Sequence, residues 1–104
     1  MSLGPDTYQT FTAGERVTLR NAGWRWALEH FFDTDDIVNG LTPDRTRQLA
    51  IVVKAYFGNI TPECIVVYQS TDHPDMVRIT ITHEGFSFDR YVFDEHLFKE
   101  TTSG

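Results

Sequence analysis

The sequence predicts an α+β domain in which two helices pack on an antiparallel β-sheet. Residues Met76–Phe93 alternate between apolar and polar side chains with a period of two, which is typical of two strands joined by a tight turn. Residues Ala22–Phe32 carry large apolar side chains at spacings of three and four, as an amphipathic helix does. Thr42-Pro43-Asp44 is typical of a helix start, because it offers a side-chain cap, a proline in the first position and then an acid.

Length and composition predict one globular domain over residues 1–104, with flexible tails at 1–7 and 101–104. The formal net charge of −6 argues against binding to nucleic acid or to an anionic membrane, since both require a basic surface. The single cysteine, Cys64, cannot form an internal disulfide, and no apolar run has the length of a membrane span. We therefore expect a cytoplasmic protein.

The first predicted strand is Glu15–Arg20, which alternates apolar and polar residues between two glycines. Tyr8–Thr12 is a candidate partner strand for it. Thr12 and Glu15 also have the spacing of a capping box, so a helix is the alternative there. The four predicted strands of the sheet, which ends in a C-terminal meander, are Glu15–Arg20, Cys64–Gln69, Met76–Thr82 and Phe86–Phe93.

The turn of the C-terminal hairpin is expected at Glu84-Gly85, with two residues in the loop. This register sets Ile81 opposite Phe88 and gathers the apolar side chains on one face. A three-residue loop would instead set Arg78 opposite Arg90, and like charges directly opposite each other are destabilising. The glycine of the turn is expected to supply the positive φ that such turns need.

The first helix is expected to begin after Asn21 as its N-cap and to end near Asp33, because acidic groups are unfavourable at a helix C-terminus. Thr34 could cap a further short turn that Gly40 ends. The second helix is expected at Pro43–Phe57.

Its second half, Leu49–Phe57, is rich in β-branched residues, which also suit a buried strand. The alternative fold is therefore a small SH3-like β-barrel with one helix.

The strand Cys64–Gln69 is apolar on both faces, so we expect both faces to be covered. In a sequential meander it would be an unprotected edge, which pairing with a second copy or with Glu15–Arg20 would remove. Asp94–Glu100 is expected to form a terminal helical turn anchored by Leu97 and Phe98.

Residues with catalytic or metal-binding potential are few, and no catalytic residue, metal or cofactor is assigned. No two histidines are spaced by three or four residues, as a helical metal pair requires. A site assembled from His83, His96, Glu84 and Glu95 is conceivable, but residues in a turn are normally solvated. Cys64 follows a proline and opens an apolar strand, which favours a packing role over a nucleophile.

Two features favour a binding surface. The hairpin register places Arg90 on the apolar face, where a buried arginine needs a partner. Its guanidinium either reaches the sheet edge or an acid on a helix, or it is held at a cleft for an anion or at an interface for a carboxylate. Trp26 lies on a second face of its helix with His30, beside an arginine, which is the composition of an interface hot spot. The candidate binding residues are Trp26, Arg25, His30, Arg90, Val66 and Tyr68.

The function predicted from these features is that of a small acidic cytosolic binding or regulatory protein. It would act through protein–protein contacts, as a homo-oligomer or with a protein partner, and no catalytic activity is evident. The alternative is a small-molecule or anion-binding domain, or a small enzyme, with a helix–sheet pocket that uses Arg90 and either His83 or His96. An acidic mimic of nucleic acid is a third hypothesis, and it requires one continuous acidic face.

Overall fold

A computed structural model describes residues 8–100, and the tails predicted at 1–7 and 101–104 lie outside the described residues. The strands are β1 (Arg16–Leu19), β2 (Glu63–Gln69), β3 (Met76–His83), β4 (Phe86–Phe93) and β5 (Leu97–Lys99). The helices are α1 (Asn21–Glu29), α2 (Thr34–Asn39) and α3 (Pro43–Tyr56).

The five strands form one open antiparallel sheet in the order β4-β3-β2-β1-β5. The predicted α+β class is therefore confirmed. The barrel alternative is wrong, because the sheet does not close on itself. No helix within residues 8–100 is long and apolar enough to cross a membrane.

The hairpin of β3 and β4 has the expected register, with Ile81 opposite Phe88 along a continuous ladder. Its two-residue turn places both Glu84 and Gly85 at positive φ, 50° and 82°. Positive φ at both central residues is the geometry that matches the right-handed twist of the flanking strands. The positive φ predicted for Gly85 is confirmed, and Glu84 adopts the same left-handed backbone region although it is not a glycine.

One face of the sheet carries the core, and α1 and α3 cover it. Each large aliphatic side chain buried there contributes about 1.5–3 kcal/mol before conformational entropy is counted. The fully buried side chains of the sheet are Val17, Cys64, Val66, Val77, Ile79, Ile81, Val92 and Leu97, and those of α1 and α3 that join this core are Trp24, Ala27, Ile51, Val52 and Ala55.

The helix α3 begins at the predicted signal. The Thr42 hydroxyl accepts a hydrogen bond from the Arg45 N–H at 3.2 Å, and Pro43 is the first helical residue. The strand alternative for Leu49–Phe57 is wrong, because the helix continues from this cap to Tyr56 and buries one side against the sheet.

The helix α1 differs from its prediction at both ends. Arg20, not Asn21, occupies the N-cap position, and the Asn21 amide instead donates to the Tyr56 carbonyl at 2.7 Å. The helix ends at Glu29 rather than near Asp33. Past this end Phe31 is buried in a loop, whereas Phe32 is 53% exposed, so the apolar periodicity does not mark the helix end.

The helix α2 is capped by Asp33, not by Thr34 as expected. Asp33 accepts from the Asp36 N–H at 2.9 Å, and the Asp36 carboxylate accepts from the Asp33 N–H at 3.0 Å. Two backbone donors are thereby satisfied reciprocally in a capping box. Gly40 ends the helix as predicted.

The segment Tyr8–Thr12 does not form the predicted partner strand of β1. The Gln69 side chain accepts from the Phe11 N–H at 2.9 Å and donates to the Gln9 carbonyl at 2.7 Å. The Gln9 side-chain amide donates to the Asp94 carbonyl at 3.0 Å. Side-chain hydrogen bonds therefore join the segment to the end of β2 and to the residue that follows β4.

The helical turn predicted for Asp94–Glu100 is present only in the first half of that segment. Asp94–His96 forms a single 3₁₀ turn, but Leu97–Lys99 is the strand β5 and not a continuation of the helix. Leu97 pairs with Leu19 of β1 and is fully buried, so its burial outweighs the local helical preference.

The strand β2 lies between β3 and β1, so it is not an edge strand. Two partners were considered for it, a second copy of the chain and the Glu15–Arg20 strand, and the structure pairs it with the Glu15–Arg20 strand. Its register shifts between Val66 and Tyr68, which makes Val67 a bulge. Tyr68 therefore pairs with Arg78 on the face of the sheet that no helix covers, called the open face below. Strict alternation from Val66 would have placed Tyr68 in the core. The expected coverage of both faces of β2 is wrong, since the helices lie on one face only.

An ion pair joins α2 to α3. The Arg45 guanidinium binds the Asp36 carboxylate with two hydrogen bonds of 3.1 and 2.7 Å, and it also donates to the Phe31 carbonyl at 2.7 Å. These hydrogen bonds lower the pKa of Asp36 from 3.8 to about 2.

We predict that the ionised Asp36 stabilises the fold above pH 3.8 and that this contribution is lost as the pH falls toward about 2. Asp36→Asn should be less stable than the parent at neutral pH and should show a flatter decline of stability in acid. Urea denaturation across this pH range measures both effects. Parallel pH profiles for parent and variant would rule out the assigned role of Asp36.

Gly23 of α1 lies tightly against the core, because a Cβ there would sit 2.3 Å from Leu19 Cδ1 and 2.9 Å from His96 Cβ. Overpacking of this kind costs about 1–3 kcal/mol, against a gain of about 1 kcal/mol in helix propensity. We expect Gly23→Ala to lower the free energy of unfolding in chemical denaturation. Ala22→Ser on the exposed side is the control, with a change below about 0.5 kcal/mol; a more stable Gly23→Ala would contradict the close approach.

Candidate functional site

A cleft of about 260 Å³ lies at the outer edge of the sheet, where the end of α1 approaches β4. Two arginines, a histidine, two aromatic side chains and one acid surround it. The lining residues of this cleft, called the Arg90 cleft below, are Trp26, His30, Arg78, Asp89, Arg90 and Tyr91.

The wall from α1 is formed by Trp26 and His30, one turn apart. Their rings are stacked with centroids 4.4 Å apart, and the Phe93 ring contacts Trp26 edge-on at 5.1 Å. The His30 Nδ1 also lies 3.0 Å from the Trp26 carbonyl oxygen. Trp26 is thus half-buried and held in place by its neighbours, with part of its surface facing the cleft.

The floor of the cleft contains Arg90, which pairs with Ile79 on the covered side of the hairpin. Its Nη2 donates to the His30 carbonyl at 3.4 Å, and its guanidinium lies 5.4 Å from the centroid of the Phe31 ring. Burial lowers the pKa of Arg90 and the positive charge of Arg45 lowers it further, while the negative charges of Asp33 and Asp36 oppose part of this lowering. Among residues 8–100 no carboxylate lies within 4.0 Å of this guanidinium, so the acid expected from a helix is not there.

The rim on the open face is different, because its arginine has an acid. Arg78 Nε lies 3.4 Å from Asp89 Oδ2, and its guanidinium lies 5.0 Å from the Tyr91 ring centroid. The Thr80 hydroxyl donates to Asp89 at 2.7 Å. Arg78 and Asp89 therefore compensate each other, which leaves Arg90 as the source of positive charge in the cleft.

The other predicted site residues lie outside the cleft. Tyr68 is on the open face, and its hydroxyl is hydrogen-bonded to that of Tyr91, which raises the pKa of Tyr68. Arg25 is exposed on α1 and pairs with Glu29 at 3.1 Å. Val66 is only 2% exposed and packs in the core, so its prediction as a binding residue is corrected. The bulge after Val66 explains why Tyr68 reaches the surface and Val66 does not.

Three lining residues, Arg78, Asp89 and Tyr91, were not predicted. The alternation of the hairpin assigns them to its polar face, but it does not reveal that the cleft wraps around the edge of β4 to include them. A second surface feature was also missed: Ile37 and Val38 on α2 are 75% and 71% exposed.

The histidines named for the alternative function are not in the Arg90 cleft. His83 and His96 lie near their sequence neighbours Glu84 and Glu95, at 3.8 and 3.9 Å. Within the part of the chain that the structure describes, no group of three or more His, Cys, Asp or Glu side chains could hold a metal ion.

Cys64 is a packing residue, as expected. Its side chain is 2% exposed, and burial raises the pKa of the thiol to about 12. A thiol with this pKa carries almost no thiolate at neutral pH, so it does not act as a nucleophile in the folded protein.

The open face of the sheet carries charges of both signs between its aromatic residues. Arg16 pairs with Glu63 and with Glu100, and Arg78 pairs with Asp89. This mixed surface lacks the continuous acidic face that a mimic of nucleic acid requires.

Comparison of the chain with protein-family models, with curated proteins and with solved structures finds no match.

Because Arg90 is half-buried without a carboxylate, we expect Arg90→Met to leave the free energy of unfolding unchanged or to raise it by about 1 kcal/mol. Methionine keeps the length of the apolar stem and removes the desolvated charge. Chemical denaturation of the two proteins measures the difference. A loss of more than about 2 kcal/mol would mean that the guanidinium has a stabilising partner and would contradict this assignment.

Proposed function

We propose that this chain is a small protein-binding module that recognises an acidic, extended segment of a partner protein at the Arg90 cleft. The supporting observation is the half-buried guanidinium of Arg90, which opens on the cleft with no carboxylate within 4.0 Å among residues 8–100. The hydrogen bond to the His30 carbonyl and the contact with the Phe31 ring do not neutralise the charge of Arg90, so a carboxylate supplied by a partner would complement it.

The position at the end of the sheet supports an extended partner. In a hairpin with a two-residue turn, hydrogen-bonded pairs alternate with non-bonded ones along the ladder. The backbone groups of Ser87, Asp89 and Tyr91 therefore point away from β3, toward the free edge of β4. An added strand would use these groups for main-chain hydrogen bonds and would present alternate side chains to the cleft.

The aromatic walls support recognition of a protein segment. Tryptophan, tyrosine and arginine are the residue types that dominate interface hot spots, and the cleft combines Trp26, Tyr91 and Arg90. Trp26 is held by stacking on His30, so little of its rotamer freedom remains to be lost on binding.

Self-association is the special case in which a second copy supplies the acidic segment. The chain itself contains exposed acids, such as Glu100 directly after the edge strand β5, so the homo-oligomer expected from the sequence belongs to this proposal. A cytosolic location also belongs to it, since the only cysteine is a buried free thiol.

The test uses a short, labelled, acetylated peptide of alternating glutamate and threonine. Fluorescence anisotropy should show saturable binding to the parent chain. Arg90→Met should weaken that binding by about tenfold or more, because the charge-assisted hydrogen bonds to glutamate are lost. Arg25→Gln is the matched control, since it removes an equal charge from the exposed side of α1 and should bind as the parent does.

Equal binding of a peptide with glutamine in place of glutamate would contradict the proposal, as would unchanged binding by Arg90→Met. Sedimentation of the unliganded chain identifies the source of the segment. A dimer that Arg90→Met converts to a monomer means that a second copy supplies it, whereas a monomer that binds the peptide means that another protein does.

The alternative function, binding of a small organic anion, is favoured by one observation: Arg90 and a histidine do share a cleft, although the histidine is His30. Benzoate is a suitable probe, because it combines a carboxylate for Arg90 with a ring for Trp26. Saturable binding of benzoate by the parent chain, together with no binding of the peptide, would favour this alternative.

A further inference from the structure

We propose a second binding site, for the phosphate group of a small molecule, in a pocket between α3 and the turn of the hairpin. The pocket has a volume of about 170 Å³ and lies away from the Arg90 cleft, with no lining residue in common. The residues that line this hairpin-end pocket are Arg47, Ala50, Ile51, Lys54, His83, Glu84 and Phe86.

The arrangement of α3 explains how the cations meet there. Arg47, Ile51 and Lys54 follow one another at spacings of four and three, so they share one side of the helix. Ile51 is buried and forms an apolar floor, while the two exposed cations lie at either end of the stripe. The hairpin closes the pocket from the other side.

The charges of the pocket favour an anion. Among residues 8–100, neither Arg47 nor Lys54 has a carboxylate within 4.0 Å, although the chain as a whole carries a net charge of −6. His83 adds a ring nitrogen that can donate, and the acid of the pocket, Glu84, lies 3.8 Å from that ring. The Arg47 guanidinium lies 5.2 Å from the Phe86 ring centroid, which holds it over the pocket.

The size of the pocket decides how much of a ligand it takes. Sites that enclose a whole small molecule usually measure about 300–1,000 Å³, so this one suits a single compact group. A phosphate monoester carries about −1.5 to −2 charges at neutral pH and three acceptor oxygens, which matches two cations and a histidine better than a carboxylate does. The rest of the ligand would extend over Phe86 or into solvent.

The test is a titration of the isotopically labelled chain with inorganic phosphate at constant ionic strength, followed by amide chemical shifts. We expect saturable shifts in α3 and at the turn of the hairpin. Arg47→Gln and Lys54→Gln should each weaken the apparent affinity by roughly three- to tenfold, because both cations are exposed and partly screened. Both side chains are on the surface, and unchanged shifts elsewhere will confirm that the variants fold.

Two controls make the test specific. Arg25→Gln changes the net charge equally on another face, and Arg90→Met alters the Arg90 cleft; both should leave the phosphate-dependent shifts of α3 and of the hairpin turn as they are in the parent. Equal weakening in Arg25→Gln, or the same shifts with chloride alone, would overturn the proposal, because the binding would then be a general ionic attraction.

Co-sedimentation with vesicles identifies the source of the phosphate group. Binding to vesicles that contain phosphatidate, lost in Arg47→Gln, would support the site and identify a lipid as the source. Binding of phosphate without vesicle binding points to a soluble ester.

Discussion

The two-residue turn at Glu84-Gly85 sets the register of the hairpin, and much of the structure depends on it. Because side chains alternate along a strand, this register gathers Ile81 and Phe88 in the core. The same alternation carries Arg90 to the covered side. A slip of one residue would move every one of these side chains to the opposite face, so an apolar core and a desolvated arginine are two results of one constraint.

Among residues 8–100 no carboxylate lies within 4.0 Å of Arg90, and the way the helices are joined explains this. Arg45 and Arg90 both approach the Phe31 ring, at 4.2 and 5.4 Å from its centroid. Asp36 is the nearby acid on α2, and Arg45 binds it with two hydrogen bonds. The carboxylate is thereby used to join α2 to α3, and Arg90 has no ion pair among residues 8–100. One cation is structural and the other faces a cleft, although they share an aromatic neighbour.

Prediction from the sequence succeeds where the signal is local. The hairpin and α3 were predicted because alternation, a cap and a positive-φ glycine act over a few residues. The sequence does not reveal the bulge at Val67, which turns Tyr68 to the surface. The helical turn predicted for Asp94–Glu100 is wrong at β5, whose three residues are too few for a period. In the candidate site, Trp26, His30 and Arg90 were named from the sequence, while Arg78, Asp89 and Tyr91 required knowledge of the sheet edge.

The sequence by itself determined the class of the fold, the register of the hairpin and the presence of an arginine among apolar residues. Tertiary structure alone decided that no acid within residues 8–100 reaches Arg90, that His30 rather than His83 or His96 stands beside it, and that Arg47 and Lys54 face the hairpin across a pocket. The physical reason is range. Backbone hydrogen bonds and side-chain alternation operate between close neighbours in sequence, whereas the partners of a charged side chain depend on elements that pack together from distant parts of the chain.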